Sequence, residues 1–332
     1  MKKSKVMMLG TVSVAAIILT ACGGVEADSK DEVIIYSNAD DEAIEVMEST
    51  LDEKGYKGKY LIQSFGTSEL GGKMMAEGTD IEADIVTMAS YFIESAQTSK
   101  SMFADITSDL KPLEGNVTYA LPILGNVGSI FINTDVLQQK GLPVPKTIKD
   151  LTDPAFKDLV SFPNIMDSST GWLLVQAIIK EYGEQEGQRV LADLIKNAGP
   201  HIESSGSGPI KKVKTGEVAV GFGLRIQAID AKKEGLPIEY IDPKEGNFTL
   251  TESVAVVDKE GDETLAKEMA KVIATEARND LLEQYPVALY EGEQVKAEHV
   301  PAHIKKWDTT LTVDLLEKHQ AFFKEAQKNK EL

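Results

Sequence analysis

The chain reads as an α/β protein built on a mostly parallel sheet, with enough length for two lobes. Three observations carry this. Between residues 32 and 90 a strand pattern, a capping turn and a helical pattern follow one another three times, as in strand-to-helix units wound in one sense. Once an N-terminal signal is removed, roughly 310 residues remain, ample for two separate cores. No apolar run beyond that signal approaches the length of a membrane span.

The first unit is "VIIYSNADDEAIEVMESTL": a β-branched strand, turn and cap residues, then Ile44, Met47 and Leu51 at helical spacing. The second, "KYLIQSFGTSELGGKMMAEG", predicts a strand, then a helix beginning near Ser68 and capped by Ser68 or Thr67. "EADIVTMAS" is a third strand ending at Thr87 to Ser90. In parallel sheets, ligands sit beyond the carboxyl ends of strands, where polar loops meet helix N-termini. "YSNADD", "FGTSEL" and "MASYF" all fall at that edge. Next, "GSIFINTDVL" reads as a strand running into a turn, and "TIKDL" as a helix after a proline-rich loop. "LVSFPNI" is a strand, and "DSSTGWLLVQAII" a loop opening an apolar helix. "SSGSGPIKKVKTG" follows, with Pro209 at a helix start, Ile210 and Val213 inward, and Lys211, Lys212 and Lys214 outward. "EVAVGFG" and "TESVAVV" are further strands, and the remainder from about Asp258 reads as mostly helical and charged.

The N-terminus sets the compartment. Lys2, Lys3 and Lys5 precede a short apolar segment over residues 6–18, the pattern of a secretory signal. It ends in "LTAC", which resembles the bacterial lipobox, whose cysteine is acylated and becomes the new N-terminus. Cys22 is the only cysteine, so no intrachain disulfide forms. The expectation is a signal peptide over 1–21, lipidation at Cys22 and a polar tether over 22–31, anchoring the protein to the outer face of the cytoplasmic membrane. Net charge is −18, falling to about −21 when the three signal lysines are lost. So acidic a surface argues against nucleic acid and against docking on anionic lipid. Any anionic ligand has to be held by local donors.

The order of "VIIYSNAD", "ADIVTMAS", "ILGNVGSIFINTDVL…PKTIKDLTDPAFKDLVSFPN", "STGWLLVQAI", "KTGEVAVGFG" and "TESVAVV" resembles the extracellular solute-binding proteins of ABC importers, family 1. The likeness covers residues 22 to 332 and is greatest to the ferric-iron, phosphonate and sugar-phosphate binders. It implies a two-lobed periplasmic-binding-protein-like clamp with a hinge and an interlobe ligand cleft. By analogy lobe 1 takes 32–132 plus 250–332 and lobe 2 takes 133–249, with hinge crossings near 130–136 and 245–252. The clamp closes on solute and is read by a permease and ATPase complex. The lipid anchor leans toward a Gram-positive cell surface, and a monomer without cofactor is expected.

An oxyanion is held best by many neutral donors and at most one guanidinium. Ser37, Asn38, Thr67, Ser68, Ser90, Ser168, Ser169, Thr170, Ser205, Gly206 and Ser207 each precede or start a predicted helix, where N–H groups and the helix dipole favour anions. Arg225 either forks onto phosphonate oxygens or forms a salt bridge on a lobe surface. Glu252 either receives an amine, as on an aminoalkylphosphonate, or is a hinge hydrogen-bond partner. Asp40 and Asp41 read as helix-cap acids before they read as amine partners. The ligand expected is an organophosphonate of the 2-aminoethylphosphonate type or a phosphate ester.

Ferric iron is the first alternative. It wants hard anionic oxygen, yet "GFGLRIQAI" carries Arg225 where the ferric branch has adjacent tyrosines, leaving Tyr36, Tyr91 and Tyr119 unpaired. Thiamine or another small solute is a further alternative. "GTSELGGK" misses the phosphate-loop spacing, Pro301 interrupts the histidines of "HVPAH", and no G-x-S-x-G elbow occurs, so no metal site is expected. A tethered phosphate-ester hydrolase would need a nucleophile, a base and metals that no carboxylate–histidine cluster supplies, so the chain is expected not to be an enzyme. Trp172 and Trp307 read as core residues.

Overall fold

The computed structural model describes residues 32–297 and 299–329. The signal-like segment, Cys22 and the tether lie outside the described residues. No helix among the described residues is long and apolar enough to cross a membrane.

The first three units form as read: β1 (Val33–Ser37) and α1 (Asp41–Leu51), β2 (Tyr60–Ser64) and α2 (Thr67–Glu77), β3 (Ile85–Ala89) and α3 (Ser90–Lys100). Strand β1 pairs in parallel with β2 and β3. β4 (Leu121–Asn133) and α4 (Thr134–Lys140) follow, then β5 (Val160–Pro163), α5 (Ser169–Ala198) and β6 (Ile202–Glu203). α6 (Gly208–Thr215), β7 (Val220–Leu224), α7 (Arg225–Lys233), β8 (Ile238–Ile241) and β9 (Asn247–Val256) come next. The chain continues through α8 (Thr264–Thr275), α9 (Arg278–Gln284), β10 (Ile304–Lys305) and α10 (Val313–Asn329).

The sheet runs β2-β1-β3-β9-β4-β7-β5-β6. It is mixed, a correction to the mostly parallel expectation. The outer pairs are parallel, but β9 runs against β3 and β4, and β4 against β7 and β8. The cause is length. Strand β4 spans thirteen residues, pairs with β9 up to Val127 and switches to β7 from Gly128, so one strand serves both halves of the sheet.

Other local expectations also shift. "TDVL" is helix rather than turn, because the Asn133 side chain accepts from Val136 N at 3.1 Å and starts α4. "TIKDL" makes only a 3₁₀ turn over Lys149–Thr152, since the Asp150 carboxylate captures the Lys146 and Thr147 N–H groups and Pro154 blocks extension. The tail after Gln284 is largely irregular until α10.

Helix α10 packs against α5, and both tryptophans meet there. Trp172, fully buried, donates Nε1–H to His319 Nδ1 at 2.7 Å, and the Trp307 ring meets His319 edge-on at 4.9 Å. Trp172 is thus core, as read. Burial pushes His319 down to about 4. The folded state keeps it neutral while the unfolded chain protonates it near pH 6.5, so stability is lost as the pH falls from about 6.5 to about 4. Urea unfolding at pH 7 and 4.5 is expected to show wild type losing up to about 3 kcal/mol relative to His319→Gln over that interval, since the other titrating groups are common to both. An equal pH loss in the variant would show that other groups drive it.

Candidate functional site

The carboxyl ends of β1, β2, β5, β6 and β7 converge on one cleft of about 230 Å³. Strands β4 and β9 cross its base and supply Asn126 and Glu252. Of the residues singled out from sequence, Asn38, Thr67, Ser168, Ser169, Thr170, Ser205, Gly206, Ser207 and Glu252 line it.

Hydroxyls and amides from the β1, α2 and α5 ends gather in the cleft. Ser168 caps α5, accepting from Thr170 N at 3.3 Å, and Ser169 N reaches Thr67 Oγ1 at 3.3 Å. Both bonds are long. Asn38 Nδ2 donates to Thr67 Oγ1 at 3.0 Å, so the β1, α2 and α5 ends are tied together. This corrects the capping expectation for α2: its N-cap is Gly66, and the Thr67 hydroxyl is spent across the cleft instead. The loop 204–207 faces the α5 end. A Cβ on Gly206 would stand 2.6 Å from Thr170 Oγ1, so the loop's close approach needs the missing side chain. Among the described residues nothing accepts from the backbone N–H groups of Ser205, Gly206 and Ser207. Three successive free donors beside a helix start suit an oxyanion.

The cleft lining also holds acids. Glu252, 2 % exposed, accepts from Asn126 Nδ2 at 2.8 Å on one oxygen, while its Oε2 and Asn126 Oδ1 are buried without a partner. Burial, then the charge of Asp40, push Glu252 up to about 8. Asp40 caps α1 through Ala43 N at 3.0 Å, as read from sequence, and also accepts a hydrogen bond from the Tyr285 hydroxyl. Burial, then Glu42, push Asp40 up to about 7. Asp41 also lines the cleft, as does Asp167, which precedes the α5 cap Ser168. Among the described residues, no lysine, arginine or histidine lines the cleft.

Four residues singled out from sequence fall elsewhere. Ser37 lies beneath the cleft, where it accepts from Thr87 Oγ1 at 2.7 Å and Ala39 N at 3.1 Å. Ser68 is taken up by Met166 O, at 2.6 Å, which ties α2 to the α5 approach. Ser90 turns to the opposite side of β9 and bonds Thr251 O and Ser253 Oγ. Arg225, 4 % exposed, is held by Asp242 at 2.9 Å and His299 O at 3.0 Å, and stacks 4.3 Å over Tyr240. Its fork is therefore occupied and does not reach the cleft; the salt bridge is buried rather than on a surface. Tyr36, Tyr91 and Tyr119 also lie outside the cleft lining.

Sequence reasoning missed Asn126, Asp167 and Ser204. Asn126 left a signal, a lone amide inside the apolar "ILGNVGSIFI". Tyr285 left none, being 245 residues from the Asp40 it contacts.

Residues 80–313 match the sequence profile of the family described as bacterial extracellular solute-binding protein. An uncharacterized protein of Haemophilus influenzae is 26% identical over 257 residues, 74% of this chain and 73% of that one. The periplasmic binding protein AfuA of Actinobacillus pleuropneumoniae, solved with fructose-6-phosphate, superposes with a TM-score of 0.65 at 18% identity, over 91% of this chain and 96% of that one. Iron-bound HitA of Pseudomonas aeruginosa gives 0.68 at 19%, over 89% and 99%. Such likeness shows a common fold, the two-lobed α/β clamp.

Proposed function

Because the chain belongs to the bacterial extracellular solute-binding protein family, we propose that it is the lipid-anchored receptor of an ABC importer and captures a small zwitterion of the 2-aminoethylphosphonate type. One observation carries the choice of solute. The cleft combines free N–H groups and hydroxyls with the carboxyls of Glu252 and Asp40, and among the described residues no basic side chain lines it. An anionic head seats at Ser205–Ser207 and the α5 start, and an ammonium group meets Glu252 Oε2, the oxygen left without a partner. Closure of lobe 1 (32–132 with 250–332) on lobe 2 (133–249) excludes water and strengthens both contacts. Cys22 acylation holds the receptor at the outer face of the membrane. The sugar phosphate bound to AfuA supports an anionic head. The acids of the cleft favour the added cation, and they also support a second reading, a cationic solute such as thiamine.

Thermal shift and calorimetry with 2-aminoethylphosphonate, ethylphosphonate, glucose 6-phosphate, thiamine and ferric citrate separate these readings. The aminophosphonate is expected to bind tightest. Thiamine or iron binding alone would sink the proposal and leave the fold intact. Ser205→Ala with Ser207→Ala is expected to weaken aminophosphonate binding at least tenfold, roughly 1.4 kcal/mol. Unchanged affinity would remove the two hydroxyls from the site and leave the backbone N–H groups as the only donors of the loop.

A further inference from the structure

The chain carries a second, larger cavity of about 480 Å³ on the reverse of β9. Alternation along that strand turns Glu252 to the cleft and Thr251 and Ser253 to this cavity. The first turns of α3, the approach to β4 and the segment before α10 form the other walls. Tyr91, Tyr119 and Trp307 share the lining with Glu94, Glu114 and Asp308.

Two of these carboxylates are already neutralised: Lys306 stands 2.8 Å from Glu114, and Lys180 pairs with Asp308. Glu94 differs. Among the described residues its carboxylate has neither a hydrogen bond nor an ion pair, and burial raises its pKa. Burial, then the charge of Glu94, raise that of Tyr119, so the two are neighbours. Ser90, one turn earlier on the same helix face, spends its hydroxyl on β9. The Tyr91 hydroxyl is buried without a partner.

A half-buried carboxylate left unpaired among aromatic rings favours a cation twice over, through its own charge and through the ring quadrupoles. The same groups repel anions. We propose that this cavity is a second binding site, for a small organic ammonium ion held by Glu94 and the rings of Tyr119 and Trp307. The site stands apart from the proposed solute reading and can fail or hold without it.

Titration with tetramethylammonium chloride at constant total chloride, followed by heat and by tryptophan fluorescence, tests the proposal. Binding is expected to saturate. Glu94→Gln is expected to weaken it at least fivefold, and Glu252→Gln to leave it unchanged. Trp307→Phe is expected to remove most of the fluorescence response, since Trp307 lines the cavity and Trp172 does not. Neopentyl alcohol, neutral and of similar size, is expected not to bind. Heat that never saturates, equal binding of the alcohol, or loss through Glu252→Gln in place of Glu94→Gln would each overturn it. If Trp307→Phe fails to fold, the heat readout with Glu94→Gln decides alone.

Discussion

Replacing Glu252 with glutamine is expected to weaken capture of 2-aminoethylphosphonate about 100-fold, roughly 2.7 kcal/mol, while ethylphosphonate binding changes less than threefold. Glutamine keeps the shape and can still accept from Asn126 Nδ2, so only the charge is lost. The pH dependence follows from the same carboxyl. In the empty protein Glu252 is pushed up to about 8, and is therefore largely protonated at neutral pH. Pairing with an ammonium group ionises it, so binding releases a proton. Affinity for the aminophosphonate is expected to rise by up to tenfold per unit as the pH climbs toward about 8, then level off. Asp40, pushed up to about 7, acts in the same direction. Ethylphosphonate, which brings only negative charge, is expected to bind less well as the pH rises. Calorimetry between pH 6 and 9 measures both slopes. Equal loss of the two ligands in Glu252→Gln would assign the residue to the structure of β9 and not to an amine.

Gly171→Ala is expected to cost about 3 kcal/mol of stability and to abolish solute binding. Helix α5 starts hard against the turn after β5: a Cβ on Gly171 would stand 2.6 Å from Ile165 N and Pro163 O, and 2.8 Å from Asn164 C. These are backbone atoms, which no rotamer change can move aside. The helix start has to shift, taking Ser168, Ser169 and Thr170 with it. Chemical unfolding gives the stability change, and calorimetry the binding. A variant with native stability and affinity would show that the turn yields at little cost.

Much of the fold was legible because local patterns carry it. "VIIYSNADDEAI" contains its own strand, its own cap and its own helical stripe, and Asp40 caps α1 as its position suggests. The hydroxyl clusters were legible for the same reason, since a serine before an apolar helical run marks a helix start. Ser168–Thr170 and Ser205–Ser207 occur in that setting and meet in the cleft. The resemblance to solute-binding proteins added the two-lobed plan, which no single segment contains.

What sequence left open turned on side-chain direction and on distant partners. Ser90 and Thr67 read alike, as hydroxyls at helix starts, yet one faces the cleft and the other the cavity behind β9. Arg225 was poised between ligand and salt bridge until Asp242 and His299 O, from later segments, occupied its fork. Glu252 sits in an apolar strand whose sequence gives its face but not its environment. Its raised pKa arises from burial beside Asn126 and from Asp40, contributed by strands and turns over a hundred residues away. Helix starts and strand periods are short-range properties, set by bond geometry and by neighbours along the chain. Which oxygen stays unpaired and which cation is already neutralised are long-range properties, set only when packing brings distant segments together and excludes water between them.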